Sequence, residues 1–376
     1  MAEAFHNFRM DEIMSKQIKR IGVLTGGGDC PGLNAVIRAV TKTAIYEHGI
    51  EVFGIEDGFL GLVQNRIHPL HAENVANILT MGGTILGSSN KCDPTNYDVK
   101  VGEKTEKRDV TPRCLEHIRH HGLDALVVIG GDGTMAGASN FVEHGINCIG
   151  VPKTIDNDLH GTDITFGFTT AAYVASAALD RIHTTAASHH RAMVVELMGR
   201  NAGWIALHSG IASGADVILI PEIPYELDRV CEAVMDRSRH HKRFTILAVS
   251  EGAKEKGGTQ VARHDPRYPD PVRLGGIGNV LAEQIEERTG VESRCTVLGY
   301  VQRGGTPVPA DRVLATEFGH KAVELLMGGE ENRLVVMKGR TVEHIPLMDA
   351  AGKQRLVDVD HPLIKAARAI GTSFGE

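Results

Sequence analysis

Short apolar runs alternate with stretches of helical spacing along most of this chain. Residues 21–24 are apolar and stop at glycines, after which residues 34–48 carry Val36, Val40 and Ala44 on one helical face. Residues 52–55 predict a second strand. The sequence repeats this grammar at residues 125–129, a buried apolar strand ending in glycines, followed by a helix over 135–144 and a strand over 146–151. Strands over 192–197, 217–220, 244–250 and 296–298 and helices over 170–186 and 277–288 carry the rhythm through the second half. Short strands that are apolar throughout are buried on both faces, which predicts an α/β fold with parallel sheets covered by helices.

A length of 376 residues suggests two domains. The pattern puts a soft boundary near Gly167, with the segment after Arg303 returning toward the first half. Residues 251–271 mix Gly, Lys and Pro and read as a long surface excursion. Residues 1–18 are polar and of mixed charge, with no apolar core of a signal peptide, and read as an extension. No apolar run approaches the ~18 residues of a membrane span. Forty basic against forty-seven acidic side chains leave a net charge of −7, a poor footprint for nucleic acid or an anionic membrane. The six cysteines are scattered without a CxxC pair, which points to reduced thiols in the cytoplasm rather than zinc or a disulfide framework. Nineteen histidines, including the pairs at 189–190 and 240–241, lack ligand spacing with acidic partners. They and Trp204 read as surface or core residues.

Glycine is in excess, at 43 residues, and its clusters carry the chemistry. Residues 25–32 read TGGGDCPG, where a strand opens into a helix. Missing Cβ atoms let a ligand approach the backbone, and the helix terminus beyond favours an anion. No Gly-Lys-Ser/Thr follows, so this is not a Walker A loop, and strict G-x-G-x-x-G spacing is absent. Residues 130–134, GGDGT, follow the 125–129 strand. Two glycine loops at strand carboxyl ends mark the ligand crevice of a doubly wound sheet, and Asp132 between glycines can hold Mg²⁺. The GGDGT loop also resembles those of NAD kinases and diacylglycerol kinases, so by itself it argues for phosphoryl transfer without naming the acceptor. Residues 152–158, PKTIDND, then place Asp156 and Asp158 two apart, on the same side of an extended segment. One such carboxylate can accept a hydroxyl proton while the other helps hold metal. At an ordinary aspartate pKa near 3.9, Asp156 is expected to be ionised at neutral pH.

These three segments, with ELMGRNAG at 196–203 and LGYVQRGG at 298–305, resemble the 6-phosphofructokinase family. The resemblance runs from about Lys19 to Leu326. It implies two Rossmann-like doubly wound domains with mainly parallel sheets and an active-site cleft between them: residues 19–166 binding the phosphoryl donor, completed by part of 304–376, and residues 167–303 binding fructose 6-phosphate. It further implies that Asp156 is the base toward the sugar's 1-hydroxyl, that Thr154 and Asp158 support the transferring group, and that Arg200 stabilises its charge. Gly27, Lys91, Gly133, Thr134, Gly137 and Lys153 would surround the donor, and Asp132 would carry Mg²⁺. Met198, Gly199, Glu251, Tyr300 and Arg303 would line the sugar site. Arg191 and Arg294 match positions that reach the 6-phosphate from a neighbouring subunit, which implies a homo-oligomer, tetramer or dimer, with shared sites.

The donor is less sharply written. Gly133 leaves room for the α-phosphate of ATP, where pyrophosphate-using relatives usually carry Asp. Lys153 is common in pyrophosphate enzymes, and Glu56 replaces an adenine-stacking tyrosine. The expectation is ATP, with pyrophosphate as the alternative donor and a non-catalytic sugar-phosphate sensor behind both.

Overall fold

The computed structural model describes residues 18–102, 104–239, 244–265 and 272–376. Residues 1–17 of the expected N-terminal extension, the histidine pair at 240–241 and the end of the 251–271 excursion lie outside them. In chain order the elements begin with β1 (Arg20–Thr25), α1 (Leu33–His48), β2 (Glu51–Ile55), α2 (Phe59–Gln64), β3 (Ile67–Pro69), β4 (Tyr97–Val101), β5 (Lys104–Arg108) and α3 (Thr111–His120). There follow β6 (Ala125–Gly130), α4 (Asp132–Glu143), β7 (Asn147–Thr154), β8 (Phe166–Gly167), α5 (Phe168–His189), β9 (Ala192–Leu197), α6 (Trp204–Ala212), β10 (Val217–Leu219) and α7 (Leu227–Arg239). The remainder is β11 (Thr245–Ser250), β12 (Ala262–His264), β13 (Val272–Leu274), α8 (Ile277–Thr289), β14 (Ser293–Val297), α9 (Pro309–Met327), β15 (Arg333–Lys338), β16 (Thr341–Pro346), α10 (Leu347–Ala350) and α11 (Pro362–Ala369).

One sheet runs β16-β15-β7-β6-β1-β2-β3, with β8 beside β7, and is parallel except at its two outer pairs. The other runs β10-β11-β9-β14 and is wholly parallel. Residues 333–346 therefore return to the first sheet, while Ser373 bridges to Val217 at the edge of the second. The alternation of strand residues explains the double covering. In β6, Ala125, Val127 and Ile129 join one apolar cluster and Leu126 and Val128 another. The first of these clusters also receives Met193, Val195, Ile246 and Ala248 from the second sheet. A single continuous core thus fastens the two sheets, and the loops at their carboxyl ends face each other.

Two boundaries differ from expectation in ways that matter. The helix expected at 135 begins at Asp132, because the glycine loop forms its first turn. The strand expected to end at 151 continues to Thr154, so Lys153 and Thr154 sit on β7 itself.

Candidate active site

β1, β6 and β7 lie side by side in register, Thr25 opposite Ile129 and Gly130 opposite Pro152. Their carboxyl-end loops therefore emerge together. Thr134 is wedged between the first two: a Cβ on Gly26 would meet its side chain at 2.6 Å, and one on Gly130 at 2.3 Å. Glycine at both places is a requirement of this closure, and Thr134 is buried by it rather than open to the cleft. Gly133, in contrast, has nothing within 4 Å of a Cβ position and faces open space. Gly137 is explained by packing, since the Phe59 ring would stand 2.6 Å from a Cβ there.

Lys153 is buried beneath the first glycine loop and its Nζ donates to the Gly28 carbonyl at 2.6 Å, with Nζ 3.3 Å from where a Gly27 Cβ would be. Burial lowers its pKa. Arg303 spans to the same loop, donating to the Asp29 carbonyl at 3.1 Å. Lys91 lies at the exposed rim, in a loop fastened to the first glycine loop: Gly27 N donates to Ser89 O at 3.2 Å and Ser88 Oγ donates to Gly27 O at 2.6 Å. Glu56 is engaged elsewhere, with Arg66 at 3.0 Å and His68 at 3.0 Å.

After β7 the chain turns through Asn157, held in a left-handed conformation while its side-chain oxygen accepts from Thr165 N at 3.0 Å. The turn presents Asp156 and Asp158, each 5% exposed. Asp156 N donates to Thr154 Oγ1 at 3.0 Å, and the same threonine bonds the Asp158 carboxylate. Asp156 Oδ1 is buried without a hydrogen-bond partner. Its acidity is not the ordinary value expected above: burial raises its pKa, against the pull of Arg303, Arg200 and Lys153, while Asp132 adds to the rise. Asp158 is pushed up to about 7 by burial and by the charges of Asp156 and Asp132. Asp132 and Asp156 therefore act on one shared space.

The second sheet contributes the facing wall. Beyond β9, Gly199 and Arg200 both take positive φ, 146° and 49°. This turn is clamped by Glu251 at the end of β11, whose carboxylate accepts from Arg200 N at 3.1 Å and whose own N–H bonds Leu197 O at 2.7 Å. Burial pushes Glu251 up to about 7. Glu196, unassigned from sequence, is buried in β9 and accepts from Gly276 N and Gly278 N, anchoring the start of α8. Met198 is half-buried, and Tyr300 is 82% exposed on a one-turn helix.

Arg191 and Arg294 are not brought to this cleft within the chain. They sit toward the amino ends of β9 and β14, about 20 Å and about 10 Å along the strands from their carboxyl ends. Both pair with Glu292, Arg191 at 2.8 Å. Sequence reasoning also missed the segment that seals the other side. Gln354 Nε2 donates to Asp158 Oδ2 at 3.2 Å, from a C-terminal stretch with no motif to announce it. The six cysteines are all unpaired, and Trp204 is core, its indole N–H bonded to Arg355 O at 3.0 Å.

Parallel strands, convergent glycine loops and a carboxylate cluster flanked by Lys153, Arg200 and Arg303 define an α/β protein with an anion-binding cleft at the strands' carboxyl ends. The family described as phosphofructokinase matches residues 20–326, and the chain belongs to it. The chain is 51% identical over 366 residues to ATP-dependent 6-phosphofructokinase 2 of Clostridium perfringens, covering 96% of this chain and 100% of that protein. It is 46% identical over 363 residues to ATP-dependent 6-phosphofructokinase of Spirochaeta thermophila, covering 95% and 98%. Among solved structures, phosphofructokinase from Pichia pastoris in the T-state superposes with a TM-score of 0.77 at 30% identity, over 95% of this chain and 37% of that one.

Proposed function

We infer that the protein is an ATP-dependent 6-phosphofructokinase, transferring a phosphoryl group from ATP to O1 of fructose 6-phosphate to give fructose 1,6-bisphosphate. The nearly full-length likeness to enzymes named for that activity supports the reaction. The observation that carries the mechanism is the buried, unpartnered Asp156 Oδ1, set among three cationic side chains. An acceptor hydroxyl placed against that oxygen loses its proton to it as the phosphoryl group arrives. Arg200 and Arg303 meet the charge on the transferring group, and the glycine loops keep the donor phosphates close to backbone N–H groups. Open space at Gly133 fits a donor larger than pyrophosphate.

The carboxylates fit Mg²⁺. Asp132 raises the proton affinity of Asp156 and of Asp158, and Asp156 adds to that of Asp158, a repulsion that a bound dication reverses. Asp132, with Asp158 beside it, would hold the ion, which when bound neutralises phosphate charge. Arg191 and Arg294, paired with Glu292 toward the amino ends of their strands, would reach the 6-phosphate of a neighbouring subunit in a homodimer or homotetramer. Residues 19–166 with part of 304–376 would bind the donor, and residues 167–303 the sugar phosphate. Six free thiols support a cytoplasmic setting; among the described residues no helix is long and apolar enough to cross a membrane.

Purified protein with fructose 6-phosphate and Mg²⁺ should form the bisphosphate with ATP and not with pyrophosphate. Turnover with pyrophosphate alone would overturn the donor assignment.

A further inference from the structure

Among the described residues, Glu47, His320 and Glu324 each offer one ligand atom, and these atoms lie within 4.8 Å of one another. They belong to two helices. Glu47 is in the last turn of α1, while His320 and Glu324 stand one turn apart on one face of α9. A His–Glu pair one turn apart is commonplace on a surface helix. The third group is what the sequence does not announce, because Glu47 joins them only through packing. That packing is tight. Val40, Ala44, Ala322 and Val323 share one apolar cluster, and a Cβ on Gly319, next to His320, would stand 2.7 Å from Ala39 Cβ and 2.9 Å from Val36 O. The three side chains therefore project from rigid elements.

A second observation comes from His48, the last residue of α1. Its Nε2 is buried with no hydrogen-bond partner, yet it stands 3.6 Å from Glu324 Oε1 and 3.9 Å from Glu47 Oε2. Donors about 2.1 Å from a tetrahedral ion lie about 3.4 Å from one another. The observed separations are close to that spacing and too long for hydrogen bonds. Among the described residues neither carboxylate pairs with a lysine or arginine, and the carboxyl end of α1 adds its own partial negative charge.

We propose that this cluster binds a first-row transition-metal dication of the zinc class, with His320, Glu324, Glu47 and His48 as ligands. Mixed imidazole and carboxylate donors suit zinc, copper or nickel, whereas magnesium and calcium take oxygen sets. The site is remote from the catalytic cleft: α1 starts at the first glycine loop, and its 16-residue length puts Glu47 about 21 Å further along its axis. A bound ion would pin α1 to α9 without touching the reacting groups.

The test is equilibrium dialysis of EDTA-treated full-length protein against Zn²⁺ at about pH 7.5, where imidazole is neutral, with excess Mg²⁺ to occupy the catalytic carboxylates. His320→Ala and Glu324→Gln should each take up one Zn²⁺ fewer than wild type over the range in which the wild-type site fills, a loss of affinity of at least about tenfold. His48→Ala should weaken the same equivalent by about tenfold. Zn²⁺ at about a hundredfold excess over Kd should raise the melting temperature of wild type by about 3 °C, and that of His320→Ala by less. Without Zn²⁺ all three variants should keep wild-type kcat and KM, which establishes that they fold. No uptake of Zn²⁺ by wild type in excess Mg²⁺, or equal stoichiometry in wild type, His320→Ala and Glu324→Gln, would overturn the proposal. Unaltered binding by His48→Ala would overturn the four-ligand assignment.

Discussion

Replacing Asp158 with asparagine should make the ligand-free protein more stable at neutral pH while disabling it. The carboxyl titrates at 3.8 in an ordinary setting and about 7 in the fold. A raised acid pKa stabilises the fold fully below the unfolded value, and this contribution is lost as pH rises through the folded one. The loss therefore runs from about pH 4 to pH 7. Three units at 1.36 kcal/mol each come to about 4 kcal/mol; sharing the repulsion with Asp156 and Asp132 brings the recoverable part to about 2–4 kcal/mol. Asparagine is isosteric, carries no charge and can still accept the Gln354 amide. For a chain of this length that gain corresponds to a rise in melting temperature of about 3–5 °C. Thermal melts in EDTA should show the variant's advantage at about a third of its full size at pH 5 and complete above pH 7. Adding Mg²⁺ and ATP should narrow the gap by supplying the counter-charge that wild type lacks. A variant that melts at or below wild type at pH 8, or an advantage independent of pH, would refute the electrostatic account.

Asp156→Asn should lower kcat by about 10²–10⁴-fold with little change in KM for fructose 6-phosphate, measured by coupled steady-state assay. Gly133→Asp should raise KM for ATP at least about tenfold by filling the donor space with like charge, yet leave the melting temperature unchanged, because nothing lies within 4 Å of its Cβ position. Arg191→Ala should raise KM for fructose 6-phosphate; mixing Arg191→Ala with Asp156→Asn subunits should restore part of the activity if sites are shared, and no restoration in mixed oligomers would exclude sharing. The thiols should react slowly with a disulfide reagent at pH 7.5, since burial pushes Cys92, Cys114, Cys148 and Cys295 up to about 12.

The apolar strands and the glycine loops were legible in the sequence because each obeys a local rule: a strand buried on both faces must be apolar throughout, and a turn that lets Thr134 close against Gly26 and Gly130 cannot carry side chains there. The adjacent placement of Asp156 and Asp158 is equally local, a matter of two-residue spacing. The acidity of those carboxylates was not legible. It depends on burial and on Asp132, which lies 24 and 26 positions earlier and reaches them only through the pairing of β6 with β7. Lys153 was expected just past the end of a strand over 146–151, whereas β7 runs on to Thr154 and carries it under the first glycine loop. Gln354 had no signal at all, being an ordinary polar residue in a weakly patterned tail. Short-range patterning specified which segments become strands, turns and helix starts; long-range packing determined which charges share one desolvated space, because the cost of a buried charge is set by neighbours that only the folded chain assembles.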